Sequence, residues 1–334
     1  MFMKNSKLLS IILGLVLLIL AACNNNESKT VAVSSEDVSA FPSKEITFVV
    51  PYSPGGGFDT SVRLIAPYME KYLPNDGTII VKNAPGGEGN VGLSEIERAK
   101  PDGHTIGLAN LPGHYANQVM DTAKYDLLNM EYVGNITTLD YITTLSAKSK
   151  YKTIEDLQNA DVVNAGVVSV SSTDGLGLMA FAEELGINLN IITHEGSSEA
   201  LLAAVRGDVD IVQFPYTSSV DYIESGDLVP LVMHSKERAT DYPDIPTVGE
   251  LGYGDLLNVT MGNRTIIATP GTPNEILTLL REAFDKAVAD PDYMKQAEEA
   301  GLEFNSSNWE SAEKLSNDGY NAMMSFKDLM MQDK

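Results

Sequence analysis

Two glycine-rich stretches carry the residues whose types and spacing best suit chemistry. Pro54-Gly55-Gly56-Gly57-Phe58-Asp59 follows an apolar, β-branched run, and Pro85-Gly86-Gly87-Glu88-Gly89-Asn90 follows a second one. Because an amphipathic pattern comes after each stretch, each is predicted to join the end of a strand to the start of a helix. Such a loop directs backbone N–H groups and the positive end of a helix dipole at one spot. The two loops together predict a site for a small anion.

The second loop also matches the dinucleotide-binding pattern G-x-G-x-x-G, from Gly87 to Gly92. A dinucleotide site needs an acidic residue about 20 positions further on, and the segment around Asn110 has none. The chain also lacks the sequence G-x-x-x-x-G-K-[ST], which excludes a nucleotide P-loop. Tight turns without a ligand are the other interpretation, but two such loops at one sheet edge favour a site.

Three side chains beside the first loop have two interpretations each. Asp59 stands just before the helical pattern, which favours an N-cap, but it also suits a counter-charge for an amino group on the ligand. Tyr52 and Phe58 either form walls of the site or pack in the interior, and both roles stay open.

Motifs for catalysis are missing. The chain has no G-x-S-x-G or H-E-x-x-H sequence, and its four histidines do not have the spacing of metal ligands. Ser171 and Ser172 are the nucleophiles of an alternative interpretation, a secreted hydrolase. Because no histidine and acid stand beside them, we expect them to donate hydrogen bonds instead. The sequence therefore predicts a binding protein with no enzymatic activity, metal or cofactor.

The composition and the N-terminus indicate where such a protein works. The chain has 334 residues and a formal net charge of −23, which argues against binding nucleic acid or an anionic membrane surface through charge. Lys4 and Lys7 precede an apolar run that is too short to span a membrane and that ends at Leu20-Ala21-Ala22-Cys23. Residues 1–22 are therefore predicted to be a secretory signal peptide. Residues 23–41 are polar and lack periodicity, which predicts a flexible tether.

Strands and helices alternate around the two loops. Strands are predicted at 46–50, 78–82 and 105–108, with helices between them, and this rhythm indicates a mostly parallel sheet that binds ligands at the carboxyl ends of its strands. A second α/β unit is predicted from about 139, with strands at 142–145, 161–170, 191–193 and 210–214. Its helices are predicted at 153–157, 178–185 and 199–205, and residues 273–331 are predicted to be helical.

These residues resemble the Bug/TctC family, the extracytoplasmic solute receptors of tripartite tricarboxylate transporters. The resemblance rests on residues 46–59, 83–92, 100–105, 207–210, 242–248 and 269–273. It implies a type II periplasmic-binding-protein fold, in which two α/β lobes joined by two hinge crossings close on the ligand. Residues 42–137 plus 259–334 would form lobe 1, and residues 138–258 would form lobe 2.

The resemblance also implies which residues hold the ligand. In the family, the two glycine loops of the first lobe hold a ligand carboxylate, and the second lobe supplies the variable contacts. Carried over by position, the ligand-binding residues are Tyr52, Pro54, Gly55, Gly56, Gly57, Phe58, Asp59, Pro85, Gly86, Gly87, Gly89, Asn90, Ser171, Ser172, Thr173, Gly196, Ser197 and Phe214.

Two segments of the second lobe depart from the family pattern. Many relatives have a histidine after the serine-rich turn, where this chain has Asp174, and Pro-Tyr-Lys-Gly where it has Thr193-His194-Glu195-Gly196. Asp174 and Glu195 would repel a second carboxylate unless they face solvent. The departure therefore favours an amino acid or another mono-anion as the ligand.

The end of the signal peptide resembles the lipobox of bacterial lipoproteins, which implies a lipid on Cys23 that anchors the protein to the bacterial cell membrane. The expected protein is an extracytoplasmic monomer that captures a small carboxylate, either a di- or tricarboxylate or an acidic amino acid. It would pass this ligand to the membrane subunits of the transporter. A receptor that uses the same pocket to inform a signalling partner is the alternative.

Overall fold

The computed structural model describes residues 38–302 and 305–331. The predicted signal peptide, Cys23 and most of the predicted tether lie outside these residues. No helix within the described ranges is long and apolar enough to cross a membrane.

The two glycine loops follow neighbouring strands of one six-stranded sheet. The chain enters this sheet through β1 (Ile46–Val50), α1 (Gly57–Tyr72), β2 (Ile79–Asn83), α2 (Asn90–Arg98) and β3 (Thr105–Leu111). β1 pairs in parallel with β2 on one side and β3 on the other, with Phe48 opposite Val81 and Ile106. Both loops therefore lie at the carboxyl edge of the sheet, as predicted.

The chain then passes into a second, five-stranded sheet. Helix α3 (Tyr115–Val119) and a 3-10 turn (Leu127–Asn129) lead to β4 (Glu131–Leu139), and β5 (Tyr141–Ser146) already belongs to the other sheet. That sheet continues with α4 (Ile154–Gln158), β6 (Val163–Val167), α5 (Thr173–Leu185), β7 (Leu189–Thr193), α6 (Ser197–Arg206), β8 (Ile211–Pro215), α7 (Tyr216–Glu224) and β9 (Leu228–His234). Its strand order is β7-β6-β8-β5-β9. β6 is parallel to its neighbours, and β5 is antiparallel to both of its own.

The last part of the chain returns to the first sheet. After a 3-10 turn (Gly254–Leu256) and α8 (Leu257–Thr260), β10 (Gly262–Ala268) inserts antiparallel between β3 and β4. It is followed by α9 (Asn274–Val288), α10 (Pro291–Glu299), β11 (Ser307–Asn308), α11 (Trp309–Ser325) and α12 (Lys327–Met331). The chain thus crosses between the sheets twice, at Asp140 and between α8 and β10. We call the elements of the six-stranded sheet the first lobe and those of the five-stranded sheet the second lobe.

Packing of α1 fixes the position of the first glycine loop. Its fully buried side chains recur at helical spacing and join a core cluster with residues of α9: Val62, Ile65 and Met69 from α1, and Ile276, Leu280 and Phe284 from α9. Burying a side chain of this size stabilises the fold by about 1.5–3 kcal/mol. The helix continues through Pro67, which is exposed. A proline inside a helical pattern can mark a later helix start, but this helix begins before it, at Gly57.

Several local predictions can be checked against these elements. The capping box predicted at Thr153 is confirmed, because its side chain and that of Asp156 each accept the other's backbone N–H. Helix α5 begins five residues earlier than predicted, at Thr173, since the Ser172 side chain caps it by accepting the N–H of Gly175. Helices α9 to α12 make up most of the described part of the tail, with a non-helical segment that includes β11 between α10 and α11. Strands β4, β9 and β10 were not predicted.

Candidate functional site

A cleft between the two lobes contains most of the polar and aromatic side chains predicted to bind a ligand. The volume of its cavity is about 410 Å³. Residues of both lobes line it, and they are Tyr52, Phe58, Glu88, Asn110, Gly113, His114, Tyr141, Val168, Ser169, Ser171, Ser172, Thr173, Asp174, Ser197, Phe214, Pro215 and Ser218. A larger depression of about 740 Å³ lies beside α2. Because first-lobe residues alone line that depression, movement of the lobes cannot enclose a ligand there.

Three aromatic rings form one wall of the cleft. Tyr52 stacks on Phe58, with ring centroids 4.1 Å apart and planes 10° from parallel. On its other side the Tyr52 ring lies 5.5 Å from the imidazole of His114, at 15°. Because both neighbours restrict the Tyr52 ring, its hydroxyl is held in a fixed direction.

Hydrogen bonds define the protonation of this stack. The backbone N–H of Asn110 donates to Nδ1 of His114 at 3.1 Å, so Nδ1 carries no proton and Nε2 does. Nε2 lies 2.9 Å from the Tyr52 hydroxyl and therefore donates to it. Burial lowers the pKa of His114 to about 3, and burial also raises the pKa of Tyr52. Both groups stay neutral, and the Tyr52 O–H is left to donate to a ligand.

A buried cation lies behind the stack. Arg264 of β10 is 8% exposed, its guanidinium carbon lies 5.2 Å from the Phe58 ring centroid, and its Nη1 donates to Ser61 Oγ at 2.6 Å. A Cβ built on Gly57 would approach Arg264 Nη2 to 2.8 Å. The first glycine loop thus lies directly against a positive charge, in a protein that is strongly acidic overall.

Asp59 holds the first loop rather than capping α1. The helix begins at Gly57 with Gly56 as its N-cap, so the predicted N-cap role is wrong: Asp59 stands in the first turn. Its carboxylate accepts the backbone N–H of Gly55 at 2.8 Å, Arg63 Nε at 2.9 Å and Asn83 Nδ2 at 2.9 Å. These bonds offset the burial that opposes ionisation, and the pKa of Asp59 is lowered. The negative charge of Asp59 is therefore compensated by groups of the first lobe.

The second glycine loop is shaped around His114. Gly89 has φ = 93°, a left-handed conformation that favours glycine, and a Cβ there would lie 2.6 Å from His114 Nε2. A Cβ on Gly92 would lie 2.8 Å from the Pro51 side chain, so α2 packs closely against the end of β1. Both glycines are needed for close packing in the first lobe.

The second lobe contributes a wall of hydroxyl groups and one buried carboxylate. Ser172 Oγ donates to the Ser169 carbonyl at 2.7 Å and caps α5. Asp174 lies in the first turn of α5, and its Oδ2 accepts the backbone N–H of Val168 at 2.7 Å. Burial raises the pKa of Asp174. This wall therefore offers hydroxyl groups and an acid, and no basic group.

Two polar contacts bridge the cleft. Ser171 Oγ donates to Glu88 Oε1 at 2.9 Å, which joins the turn before α5 to the second glycine loop. Asn110 Nδ2 lies 3.5 Å from Thr173 Oγ1, a marginal distance for a hydrogen bond. The lobes are therefore in contact across the mouth of the cleft.

The contacts of the two serines bear on the alternative of a secreted hydrolase. Ser171 Oγ contacts Glu88 and Ser169, and Ser172 Oγ donates to a carbonyl. Neither hydroxyl has a histidine partner within the described chain. A serine nucleophile needs such a base, so this geometry does not support the hydrolase.

The structure brings some of the predicted ligand residues into the cleft and leaves others beside it. Those that line the cavity are Tyr52, Phe58, Ser171, Ser172, Thr173, Ser197 and Phe214. Those that are not part of its lining are Pro54, Gly55, Gly56, Gly57, Asp59, Pro85, Gly86, Gly87, Gly89, Asn90 and Gly196. Among these glycines, Gly57 and Gly89 allow Arg264 and His114, respectively, to approach the loops closely. Glu195 is exposed and is not part of the lining either, whereas Asp174 is.

Sequence reasoning missed several lining residues, above all Asn110, His114 and Tyr141. The sequence predicted that β3 ends at 108, but the strand continues to Leu111. Asn110 therefore lies within the strand, and His114 comes shortly after its end. Extending that strand by its apolar residues would have placed both side chains at the carboxyl edge with the glycine loops. Tyr141 is the residue after the first crossing, and no local pattern indicated it.

Comparison with known proteins points to one family. Residues 62–326 match the TctC family, described as "Tripartite tricarboxylate transporter family receptor". Protein BugT of Bordetella pertussis is 27% identical over 262 residues, which cover 74% of this chain and 77% of BugT. A crystal structure of a TctC solute binding protein from Polaromonas has a TM-score of 0.75 at 23% identity and covers 88% of this chain and 100% of its own.

Two further solved structures contain ligands. MatC from Rhodopseudomonas palustris, with bound malate, has a TM-score of 0.65 at 22% identity and covers 87% of this chain and 100% of its own. An R. palustris protein with adipate has a TM-score of 0.68 at 22% identity and covers 87% of this chain and 98% of its own. The Polaromonas structure and that of the periplasmic binding protein BugD confirm the predicted α/β fold of periplasmic binding proteins, and this chain has the expected two lobes and two crossings.

Proposed function

Since the chain belongs to the TctC family of tripartite tricarboxylate transporter receptors, we propose that it is an extracytoplasmic solute-binding protein that captures a small carboxylate in the cleft. The observation that carries this proposal is the cleft itself, which both lobes line with aromatic rings and hydrogen-bond donors. The malate and adipate in two structural neighbours support a carboxylate as the ligand.

Capture would use lobe closure. The first and second lobes would rotate about the two crossings, at Asp140 and between α8 and β10, and contacts made only in the closed form would favour closure. The Tyr52 hydroxyl would donate to the ligand carboxylate, and the charge of Arg264 would favour an anion beside the first lobe. The protein would bind without catalysis or a cofactor.

The remaining parts of the proposal concern the cell. The signal peptide would direct the chain out of the cytoplasm, the lipid on Cys23 would anchor it, and residues 23–41 would let the monomer reach the membrane subunits of the transporter. Mass spectrometry of the N-terminal peptide from membranes tests the lipid: unmodified Cys23, or cleavage elsewhere, contradicts it.

Ligand binding is tested by thermal unfolding of the purified protein with dicarboxylates, tricarboxylates and acidic amino acids. At a ligand concentration of about 100 times Kd, binding adds about 2.7 kcal/mol of stability, so we expect a clear rise in Tm with at least one compound. A folded protein that responds to none of them contradicts the proposal.

A further inference from the structure

The charged side chains that line the cleft are both acidic. They are Glu88 and Asp174, and no lysine or arginine in the described part of the chain lines the cavity. Glu88 is exposed and already accepts the hydroxyl of Ser171. Asp174 is only 7% exposed, so of the two acids it is the one that a bound ligand meets away from water.

Asp174 is a buried acid with no cationic partner among the residues that the structure describes. No ion pair within the described residues includes it. Asp59, the acid in the first turn of α1, differs because Arg63 pairs with it at 2.9 Å. The N–H of Val168 and the N-terminus of α5 offset part of the cost of burying this carboxylate, and a positive group brought to it would offset more. Asp174 also places negative charge at the N-terminus of α5, which would otherwise favour a ligand anion.

A positive charge lies behind the opposite wall of the cleft. The Arg264 guanidinium is buried against the first glycine loop and behind Phe58. Burial raises the pKa of Tyr52 and of Tyr141, and the charge of Arg264 opposes that rise at both phenols. Because Phe58 lines the cleft and the guanidinium carbon lies 5.2 Å from its ring centroid, a positive charge lies just behind this wall.

The geometry points to a zwitterionic ligand, a small amino acid or a related amino carboxylate. Its carboxylate would face Tyr52 and Phe58, on the side of the cleft nearest Arg264, and its ammonium group would donate to Asp174. A dicarboxylate placed in the same way would bring its second carboxylate against Asp174 and would bind more weakly. This inference rests on the proposed function, and it makes Asp174 the residue that determines specificity.

Calorimetric titration with matched pairs tests the inference. Each pair differs only in the amino group: aspartate with succinate, glutamate with glutarate, and alanine with propionate. Because a hydrogen bond to a charged group contributes about 1.5–3 kcal/mol, we expect the amino member of at least one pair to bind about tenfold more tightly or better. Asp174→Asn keeps an acceptor for the Val168 N–H but loses the charge, and it should reduce that preference to about twofold or less.

Glu183→Gln is the matched control. Glu183 is exposed on the same helix, α5, so this change removes one negative charge without altering the cleft and should keep the preference. Tighter binding of the des-amino members to the unmodified protein overturns the inference and leaves the proposed function intact. An unchanged preference in a folded Asp174→Asn protein also overturns it. Binding of no compound from either series also overturns the inference, and the thermal screen, which includes tricarboxylates, then tests the proposed function separately.

Discussion

At the scale of single residues, the Tyr52 hydroxyl is the donor whose direction the structure defines most fully. It accepts from His114 and keeps its own proton for the ligand. We therefore expect Tyr52→Phe to weaken ligand binding by about tenfold, the value of one hydrogen bond to a charged group. The variant should also lose about 1–3 kcal/mol of stability, because the buried Nε2–H of His114 loses its acceptor. Calorimetric titration measures the change. Tyr68→Phe, which removes a hydroxyl of α1 that does not line the cleft, should leave Kd unchanged, and equal affinity in both variants would rule out the Tyr52 hydroxyl as a donor.

Gly89 is the second residue whose substitution has a defined structural consequence. Alanine there would place a Cβ 2.6 Å from His114 Nε2 and would strain a left-handed backbone by about 1–3 kcal/mol. We expect His114 to shift, the Tyr52 hydroxyl to lose its orientation, and binding to weaken at least tenfold.

The control for Gly89→Ala is Gly186→Ala. Gly186 also has a left-handed backbone, φ = 68°, but nothing lies within 4 Å of its built Cβ. This variant should lose stability by a similar strain and keep its ligand affinity. If Gly89→Ala binds as tightly as Gly186→Ala, the second loop does not position His114.

The same residues show what could be predicted about the site. Tyr52 and Phe58 were placed beside the first loop by sequence alone, because they flank a recognisable strand-to-helix turn. The role of His114 was not predictable, since it depends on a bond from the backbone of Asn110 and on close approach of Gly89 from another loop. The sequence predicted Asp59 as the N-cap, but the helix begins earlier, at Gly57, and Asp59 lies in its first turn. A sequence pattern locates the start of a helix only to within a few residues, so it does not separate an N-cap from a first-turn residue.

At the scale of elements, the bond from Ser171 to Glu88 joins a turn of the second lobe to a loop of the first. A contact across the cleft stabilises the closed form alone, so losing it should speed ligand release and leave association nearly unchanged. For Ser171→Ala we expect a koff that rises about three- to tenfold, measured by stopped-flow fluorescence.

A double-mutant cycle separates this bridge from direct contact with the ligand. If the bridge is responsible, Glu88→Ala and Ser171→Ala will be non-additive, because either change alone already breaks the bond. Ser198→Ala, an exposed serine of α6, is the control and should have the koff of the unmodified protein. Additive effects of the two cleft variants would show that Ser171 acts on the ligand directly.

The predictability of the elements follows from their patterns. The β1–α1–β2–α2–β3 rhythm was confirmed because each strand is a short apolar run that ends in turn residues. β10 was missed although it is buried along its whole length, because Asn263, Arg264 and Thr265 interrupt its apolar run. β9 contains Pro230, which argues against a strand by sequence, and it lies at the edge of its sheet, where proline is tolerated.

At the scale of the whole molecule, two buried neutral histidines link folding to pH. Burial lowers the pKa of both His114 and His234 to about 3, whereas an unfolded histidine has a pKa of about 6.5. The unfolded chain therefore binds more protons between these values. Their contribution to stability is fully present above about pH 6.5 and is lost as the pH falls toward 3, by about 1.4 kcal/mol per pH unit for each histidine.

His234→Asn tests this linkage away from the cleft. His234 is fully buried, with its Nε2 2.7 Å from Thr143 Oγ1. Between pH 7.5 and 5.0 the free energy of unfolding should fall by about 2 kcal/mol less in His234→Asn than in the unmodified protein, as urea titration at both pH values measures. Asp140, whose pKa burial raises to about 6, contributes with the opposite sign but is present in both proteins and cancels in the difference.

Thr143→Val is the control, because it removes the partner of His234 and keeps the titrating ring. It should lower stability at both pH values and retain the full pH dependence, whereas an equal pH dependence in His234→Asn would show that this imidazole does not link protonation to unfolding.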